Sequence, residues 1–379
     1  MKIGIDARQI LINERGISNY IYALTKNLFE IDNANEYILY VNTSYEYVMR
    51  KEKREKRLNE FSKYDNVVIK NINSENTFLW EQICLPFYVL KDKIDILHMT
   101  SNRSPLFCNC KLINTVHDVI EFEEAQKNNY KLKSLKGKFY EWRIKQYIKF
   151  MYKNIFIRSN KVITISKKSK EDIHKKLNIR SNKIHIIKHG IDKDFGNFHL
   201  RKKYIMTFGG TAIQKNVEGA IEAYSYLPKK IRKEYPLLII GSDDIKKINL
   251  LVKKYNLQNV IIKDFVSKKE LIKFYNESII FLFLSIKEGF GFPPMEAMAC
   301  GTVPLVYNIN PMKENVNNKD LYIKFRNNKK IAKRIEQLIN NRKKYNELVS
   351  FGLRRSKEFS WSKCAKEHLD VYTRVYENE

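Results

Sequence analysis

The chain has 379 residues, 44% hydrophobic and 12% aromatic, with only 13 Gly and 8 Pro. That composition excludes a disordered, collagen-like or low-complexity chain and, at about 150 residues per domain, leaves room for two or three packed domains. Lys and Arg number 70 against 42 Asp and Glu, a formal net charge of +28, which suits an anionic partner surface or, equally, a composition drifted toward Lys, Asn and Ile with no partner behind it. The five cysteines, Cys84, Cys108, Cys110, Cys300 and Cys364, are odd in number and scattered, as befits a reducing compartment rather than a disulfide framework. No second ligand pair at zinc spacing accompanies Cys108 and Cys110.

From the first residue, Met1 to Arg8 alternates as a strand does, with Lys2 and Asp6 where a leader would be apolar. The apolar runs, of which Ile279–Leu284 is among the longest, fall far below the roughly 18 residues that span a bilayer. A cytoplasmic protein is expected, with peripheral contact to the inner face of the plasma membrane left open. Short apolar segments follow at Lys2–Asp6, Tyr37–Val41, Val67–Lys70, Ile94–Met99, Leu112–Val116 and Val162–Ile165. Between the first two, Ile17, Tyr20, Ile21, Leu24 and Leu28 form the stripe of a helix packed on a sheet. Strand followed by amphipathic helix is the pattern of parallel α/β construction.

Lys131 to Arg158 holds nine Lys/Arg and one acid, Glu141, among seven aromatics. Such a segment predicts a basic amphipathic helix, either lying on an anionic membrane or packing its aromatics inward with lysines on the wet face. Gly190 to Lys203 turns polar and is read as a linker. A second α/β series begins at Tyr204 and ends on the buried strand Ile279–Leu284, and a last helical rhythm runs from Trp361 to Tyr376.

The segment Ser285 to Gly301 concentrates the chemistry. A glycine-bearing loop leaves a buried strand, Pro294 sits where a first helical turn tolerates a missing N–H, and Gly301 stops the helix. This arrangement offers backbone N–H groups at the carboxyl edge of a parallel sheet, where anions bind. Glu288 and Glu296 flank the loop. Carboxylates repel phosphate but accept hydrogen bonds from a vicinal diol, which points to a ligand bearing both phosphate and sugar; singly, each is equally a loop or first-turn glutamate.

Glu288-Gly-Phe-Gly-Phe-Pro-Pro-Met-Glu296-Ala-Met-Ala-Cys-Gly301 resembles the E-x7-E signature of retaining glycosyltransferase family 4, whose fold is GT-B: α/β, two Rossmann-like domains with parallel sheets facing an interdomain cleft. The likeness extends through Lys2–Arg8, Leu79–Gln82, His117-Asp118, Val162–Ser166, His189–Asp192 and Gln214–Asn216, and within the family it is greatest to bacterial mannosyltransferase- and rhamnosyltransferase-type enzymes of surface polysaccharide synthesis. The resemblance implies an acceptor-binding domain over 1–195, a nucleotide-sugar-binding domain over 203–360, and a final helix, 361–379, that packs back on the first domain. It further implies that Glu296 takes the ribose hydroxyls, that Glu288 meets the transferred sugar, and that Gly289, Phe290 and Gly291 support sugar and diphosphate. Lys215 would neutralise the departing diphosphate. Relatives often carry Arg near it, where this chain has Gln214 and Gly210, so Lys215 bears more of that work. His117, at a strand's carboxyl end, would stand beside the transferred sugar, with Asp118 orienting or capping. Gly16 would let backbone N–H groups approach the diphosphate or acceptor, in a loop where Arg15 and Ser18 replace the usual glycines.

The expected function is therefore a retaining hexosyltransferase using a GDP-, UDP- or dTDP-linked sugar, GDP-mannose first, on a glycan or lipid-linked saccharide acceptor. No cofactor and no metal are expected, since Asp243-Asp244 lacks Asp-x-Asp spacing. Closure of the two domains would exclude water and limit donor hydrolysis. A basic nucleic-acid-binding protein is the competing class, though no C2H2 or RNP motif is present; a nicotinamide dehydrogenase lacks G-x-G-x-x-G after the first strand.

Overall fold

A computed structural model describes residues 1–12, 16–44, 51–127, 134–210, 213–242 and 244–378; Arg15, Asp243 and residues 131–133 of the basic segment lie outside them. The chain divides into two units, Met1–Gly190 with Trp361–Glu379, and Ile191–Ser360. The division falls at the first residue of the polar stretch, and that stretch belongs to the second unit.

The first unit is built on seven parallel strands, β1 (Lys2–Asp6), β2 (Glu36–Val41), β3 (Val67–Asn71), β4 (Ile96–Met99), β5 (Lys111–Thr115), β6 (Lys161–Thr164) and β7 (Ile184–Ile186), in the order β3-β2-β1-β4-β5-β6-β7. Ile3, Ile5, Leu39, Ile96 and Ile113 are fully buried, as strands covered on both faces must be. The order reverses direction between β1 and β4, which leaves a crevice beyond their carboxyl ends.

The helix Ile17–Ile31 buries Tyr20, Ile21, Leu24 and Leu28 and packs against the C-terminal helix Trp361–Tyr376, which buries Cys364, Ala365, His368 and Tyr372. One directed chain of hydrogen bonds ties both helices to the sheet. His368 Nδ1 lies 2.8 Å from the Cys364 carbonyl, which can only accept, so the Nδ1 proton is donated there and Nε2 accepts from the Tyr20 hydroxyl at 3.1 Å. Tyr20 accepts from Thr115 at 3.0 Å, Thr115 from His98 Nε2 at 2.8 Å, and His98 Nδ1 from Tyr372 at 2.7 Å. Burial holds both imidazoles neutral: it lowers the His368 pKa to about 4 and carries that of His98 well below the usual histidine range.

The basic segment departs from the single amphipathic helix expected. Its helix runs Leu135–Phe150 from the Ser134 cap, then loosens into a π-turn over Met151–Ile155 and a 3-10 turn at Phe156–Arg158. Ile148, Met151, Tyr152 and Phe156 are buried, while Phe139, Tyr140, Trp142 and Phe150 are exposed. Aromatics thus serve both the core and the surface. The wider turn rotates the end of the segment relative to its start, so a stripe at fixed helical spacing could not resolve the two faces.

The second unit holds six parallel strands, β8 (Tyr204–Phe208), β9 (Leu237–Ile240), β10 (Val260–Lys263), β11 (Ser278–Phe283), β12 (Val303–Tyr307) and β13 (Tyr322–Ile323), in the order β10-β9-β8-β11-β12-β13. This is the doubly wound order of Rossmann-like sheets, with its switch point between β8 and β11. Every residue of β11 is buried, which accounts for its unbroken apolar run.

Candidate functional site

In the first unit the residues just beyond β1, β4 and β5 converge. Thr100 and Asn102, after β4, grip His117, after β5: the His117 amide donates to Asn102 Oδ1 at 3.1 Å and its Nε2–H to the Thr100 carbonyl at 3.1 Å. Thr100 is itself fixed by its hydroxyl, which donates to the Asp6 carbonyl. Tyr20 meets the His117 ring edge-on at 4.9 Å and His189 stacks on it at 5.5 Å. Burial lowers the His117 pKa to about 4 against the pull of the Thr100 carbonyl, so the ring is neutral at pH 7, with its lone pair on Nδ1. Asp118 accepts the Ile120 amide at 2.9 Å, a turn contact two residues on that leads into the helix Ile120–Gln126, whose cap position is Val119. Gly16 precedes the helix Ile17–Ile31 with φ of +50°, in the left-handed region that glycine enters without strain.

The end of β1 also carries a buried ionic group. Arg8 grips Asp6 at 2.8 and 2.9 Å, donates to Glu81 at 3.2 Å, and lies over the Trp80 ring at 3.7 Å. The Tyr147 hydroxyl donates to the other Glu81 oxygen at 2.6 Å. Burial raises the Glu81 pKa while Arg8 and Tyr147 oppose that rise. The sequence stretches Lys2–Arg8 and Leu79–Gln82 thus meet in one cluster, together with a residue of the basic segment.

In the second unit the loops after β8 and β11, the two strands at the switch point, are joined by the Gln214 carbonyl, which accepts the Ile286 amide at 2.8 Å and the Ser285 hydroxyl at 3.0 Å. That clamp brings Lys215 and Glu288 together at 2.8 Å, with side chains 40% and 18% exposed. Gly210 lies beneath: a Cβ there would stand 3.3 Å from Lys215 Cγ. Gly289 and Phe290 form a bend, and the Phe290 carbonyl accepts from Asn315 Nδ2 at 2.7 Å. Gly291 has φ of +89°, a conformation that strains any residue with a Cβ, and a Cβ there would come within 2.0 Å of the Met312 methyl, which would have to move aside.

Gly291 begins the helix Phe292–Ala299. Of its first four backbone nitrogens, Pro293 and Pro294 carry no hydrogen, which leaves Gly291 and Phe292 as the donors of that end. The terminus therefore offers fewer N–H groups than the glycine-rich loop suggests, and a larger share of any anion's charge falls to Lys215. One turn on, Glu296 accepts from the Tyr275 hydroxyl at 3.2 Å. Burial raises its pKa to about 7, against Tyr275 and Lys268, which lower it.

The structure thus joins Lys215 with Glu288 and sets Gly210, Gly289, Phe290, Gly291 and Glu296 in one unit, while Gly16 and His117 stand in the other. Sequence reading missed the supports: Thr100, Asn102 and Tyr20 around His117, Tyr275 at Glu296, and Asn315 and Met312 at the loop. Only the paired prolines were visible in advance, as donors that the chain does not have. Among the described residues no group of three His, Cys, Asp or Glu is placed to hold a metal ion.

Two Rossmann-like parallel sheets, each with its polar groups at the switch point, are the architecture of the GT-B glycosyltransferases. Glycosyltransferase Family 4 matches residues 15–195 and Glycosyl transferases group 1 matches residues 191–355, and the chain belongs to the family 4 type of GT-B glycosyltransferase. It is similar to the serotype-specific mannosyltransferase WbdA of Escherichia coli, 27% identical over 242 residues that make up 59% of this chain and 30% of WbdA; the match thus spans less than a third of that relative. The O-antigen chain mannosyltransferase RfbU of Salmonella typhimurium is 29% identical over 254 residues, 64% of this chain and 70% of RfbU. Among solved structures, Anabaena HepE in complex with UDP-glucose superposes with a TM-score of 0.72 at 12% identity, over 98% of this chain and 99% of HepE.

Proposed function

We propose that the protein is a retaining hexosyltransferase of surface polysaccharide synthesis that moves mannose from GDP-mannose to a glycan or lipid-linked saccharide. The observation that carries this reading is the Lys215–Glu288 pair at the switch point of the second sheet, joined by one loop to the helix Phe292–Ala299 that carries Glu296. A departing diphosphate gathers charge, and Lys215 with the Gly291 and Phe292 amides supplies the countercharge without a cofactor or metal. Glu288 holds Lys215 until donor arrives, then turns to the hydroxyls of the sugar; Glu296, as a carboxylate, accepts the ribose hydroxyls. His117 is neutral and accepts from a sugar hydroxyl through Nδ1. Mannose is favoured by the names of WbdA and RfbU, and a UDP-sugar is the alternative that HepE favours.

Thermal shift against GDP, UDP, dTDP, CDP and NAD tests the donor site, because binding stabilises by mass action. A shift with one nucleoside diphosphate that disappears in Glu296→Ala is expected; a shift with NAD alone, or tight binding of nucleic acid at moderate salt, would end this reading.

The acceptor side is proposed to work on an anionic membrane. Phe139, Tyr140 and Trp142 are exposed on the helix Leu135–Phe150, and Phe78, Ile83, Phe87 and Leu90 are exposed on the segment that meets it through the Phe78–Tyr147 ring contact at 5.5 Å. Lys138, Arg143 and Lys153 stand exposed among them, and each basic residue near such a surface contributes about 1 kcal/mol. No helix among the described residues is long and apolar enough to cross a membrane. Flotation with phosphatidylglycerol vesicles, and not with phosphatidylcholine vesicles, is the expected result.

A further inference from the structure

Between β4 and β5 the chain runs through residues 100–110. One end of this connection grips His117; the other carries Cys108 and Cys110, separated only by the exposed Asn109. A bend at Asn109 and Cys110 turns both side chains to one side, and their Sγ atoms lie 2.9 Å apart. That is well inside the contact distance of two unbonded sulfurs. Both residues are half-buried, packed against a core that includes Tyr40, Leu97 and Leu112. Cys300 and Cys364 are buried, and Cys84 is the other half-buried thiol.

We propose that Cys108 and Cys110 form a dithiol modification site, which small-molecule disulfides of the glutathione kind oxidise to a Cys108–Cys110 disulfide. The Cys108 thiolate attacks one sulfur of the reagent, the reagent's S–S bond breaks, and one small thiolate leaves. Cys110 then gives up its proton and attacks the Cys108 sulfur, displacing the second small thiolate. Two protein thiols are oxidised and one small disulfide is reduced to two thiols. Either thiol can donate across the contact; the proposed order has Cys110 donate, which lowers the Cys108 pKa while the same bond, burial and Asp95 hold the Cys110 proton in place. This inference is independent of the transferase reading, since its readout is thiol chemistry.

The test is to incubate the full chain with oxidised glutathione, alkylate with a maleimide and map the peptides by mass spectrometry. Loss of labelling at Cys108 and Cys110 together is expected, with a cross-linked peptide two hydrogens lighter that dithiothreitol restores. Cys110→Ser is expected to stop at a stable glutathione adduct on Cys108, and Cys108→Ser to react at least about tenfold more slowly at Cys110. Full alkylation of both residues after oxidant, or an adduct in Cys110→Ser that sits on Cys84, would overturn the proposal.

Discussion

The surroundings of His117 and those of Glu288 solve opposite problems with similar scaffolds. Around His117, buried hydroxyls, imidazoles and carbonyls from β4, β5, the helix Ile17–Ile31 and the C-terminal helix hold one another in neutral hydrogen bonds. Around Glu288, charges stay partly exposed, and backbone clamps hold them from below. A buried network fixes geometry at a high cost for any unpaired member. A half-exposed ion pair is worth little to stability and is free to exchange partners with a charged ligand. Substitutions in the first region are therefore expected to unfold the unit, and substitutions in the second to spare the fold and remove function.

The sharpest way to break that contrast is Glu81→Ala, in the ionic cluster that is likewise buried in the first unit. Arg8 would then lose the Glu81 carboxylate that it grips alongside Asp6 in a buried setting, and removal of one member of such a cluster costs about 3–5 kcal/mol. Trp80, Trp142 and Trp361, the only tryptophans, all lie in the first unit, so intrinsic fluorescence during denaturant unfolding reports on that unit alone. A loss under about 1 kcal/mol would show that the buried ionic cluster of the first unit is dispensable. Lys215→Ala is the matching test in the second unit: transfer should fall by about a hundredfold or more, as on removal of one preorganised donor to a developing anion, with stability changed by less than about 0.5 kcal/mol. Comparable losses of stability in both variants would erase the distinction.

How much of this was legible beforehand follows from the range of each contact. The strands and the stripe of Ile17–Ile31 announce themselves because period and burial are local. The strand, glycine-bearing loop and helix that carry Glu288 and Glu296 were legible because their parts are adjacent in sequence. The Lys215–Glu288 pair spans 73 residues, Glu81–Tyr147 spans 66 and Tyr20–His368 spans 348, and no pattern in a single chain encodes such distances. The basic segment was legible in composition only, because its π-turn changes the helical period partway along. His117 could be placed at a strand end, but its neutrality follows from burial that only the fold supplies.

Acid offers a smaller, graded test of the neutral region. His117 and His368 have folded pKa values of about 4, below the ordinary 6.5. The unfolded chain therefore binds protons that the folded one refuses, so stability is fully present above pH 6.5 and falls progressively toward pH 4. Each histidine withdraws up to about 3 kcal/mol over that window. Tryptophan-monitored stability should decline through it in the native chain, and His368→Gln should flatten part of the slope. A stability that stays level from pH 7 to pH 4.5 would mean that these rings are charged or solvated in the fold.

The last effect is the smallest and bears on the charged region. Glu296 titrates near pH 7 because burial favours its protonated form, yet a carboxylate that takes two ribose hydroxyls must be ionised to accept from both. Ionising it in the folded chain costs stability as pH rises from 4.5 toward 7, the sign opposite to that of a salt-bridged acid. If the donor binds as proposed, a bound nucleotide would offset that cost by giving the carboxylate its hydrogen bonds. Affinity for the preferred nucleoside diphosphate should therefore rise by up to about tenfold between pH 6 and pH 8, tracking the ionised fraction. Calorimetric titration of Glu296→Gln, which accepts at one oxygen at every pH, should show a weaker and flatter dependence. If both proteins gained affinity in parallel across pH 7, the titrating group would lie on the ligand's phosphate, and Glu296 would be a neutral prop for Tyr275 and the helix it stands on.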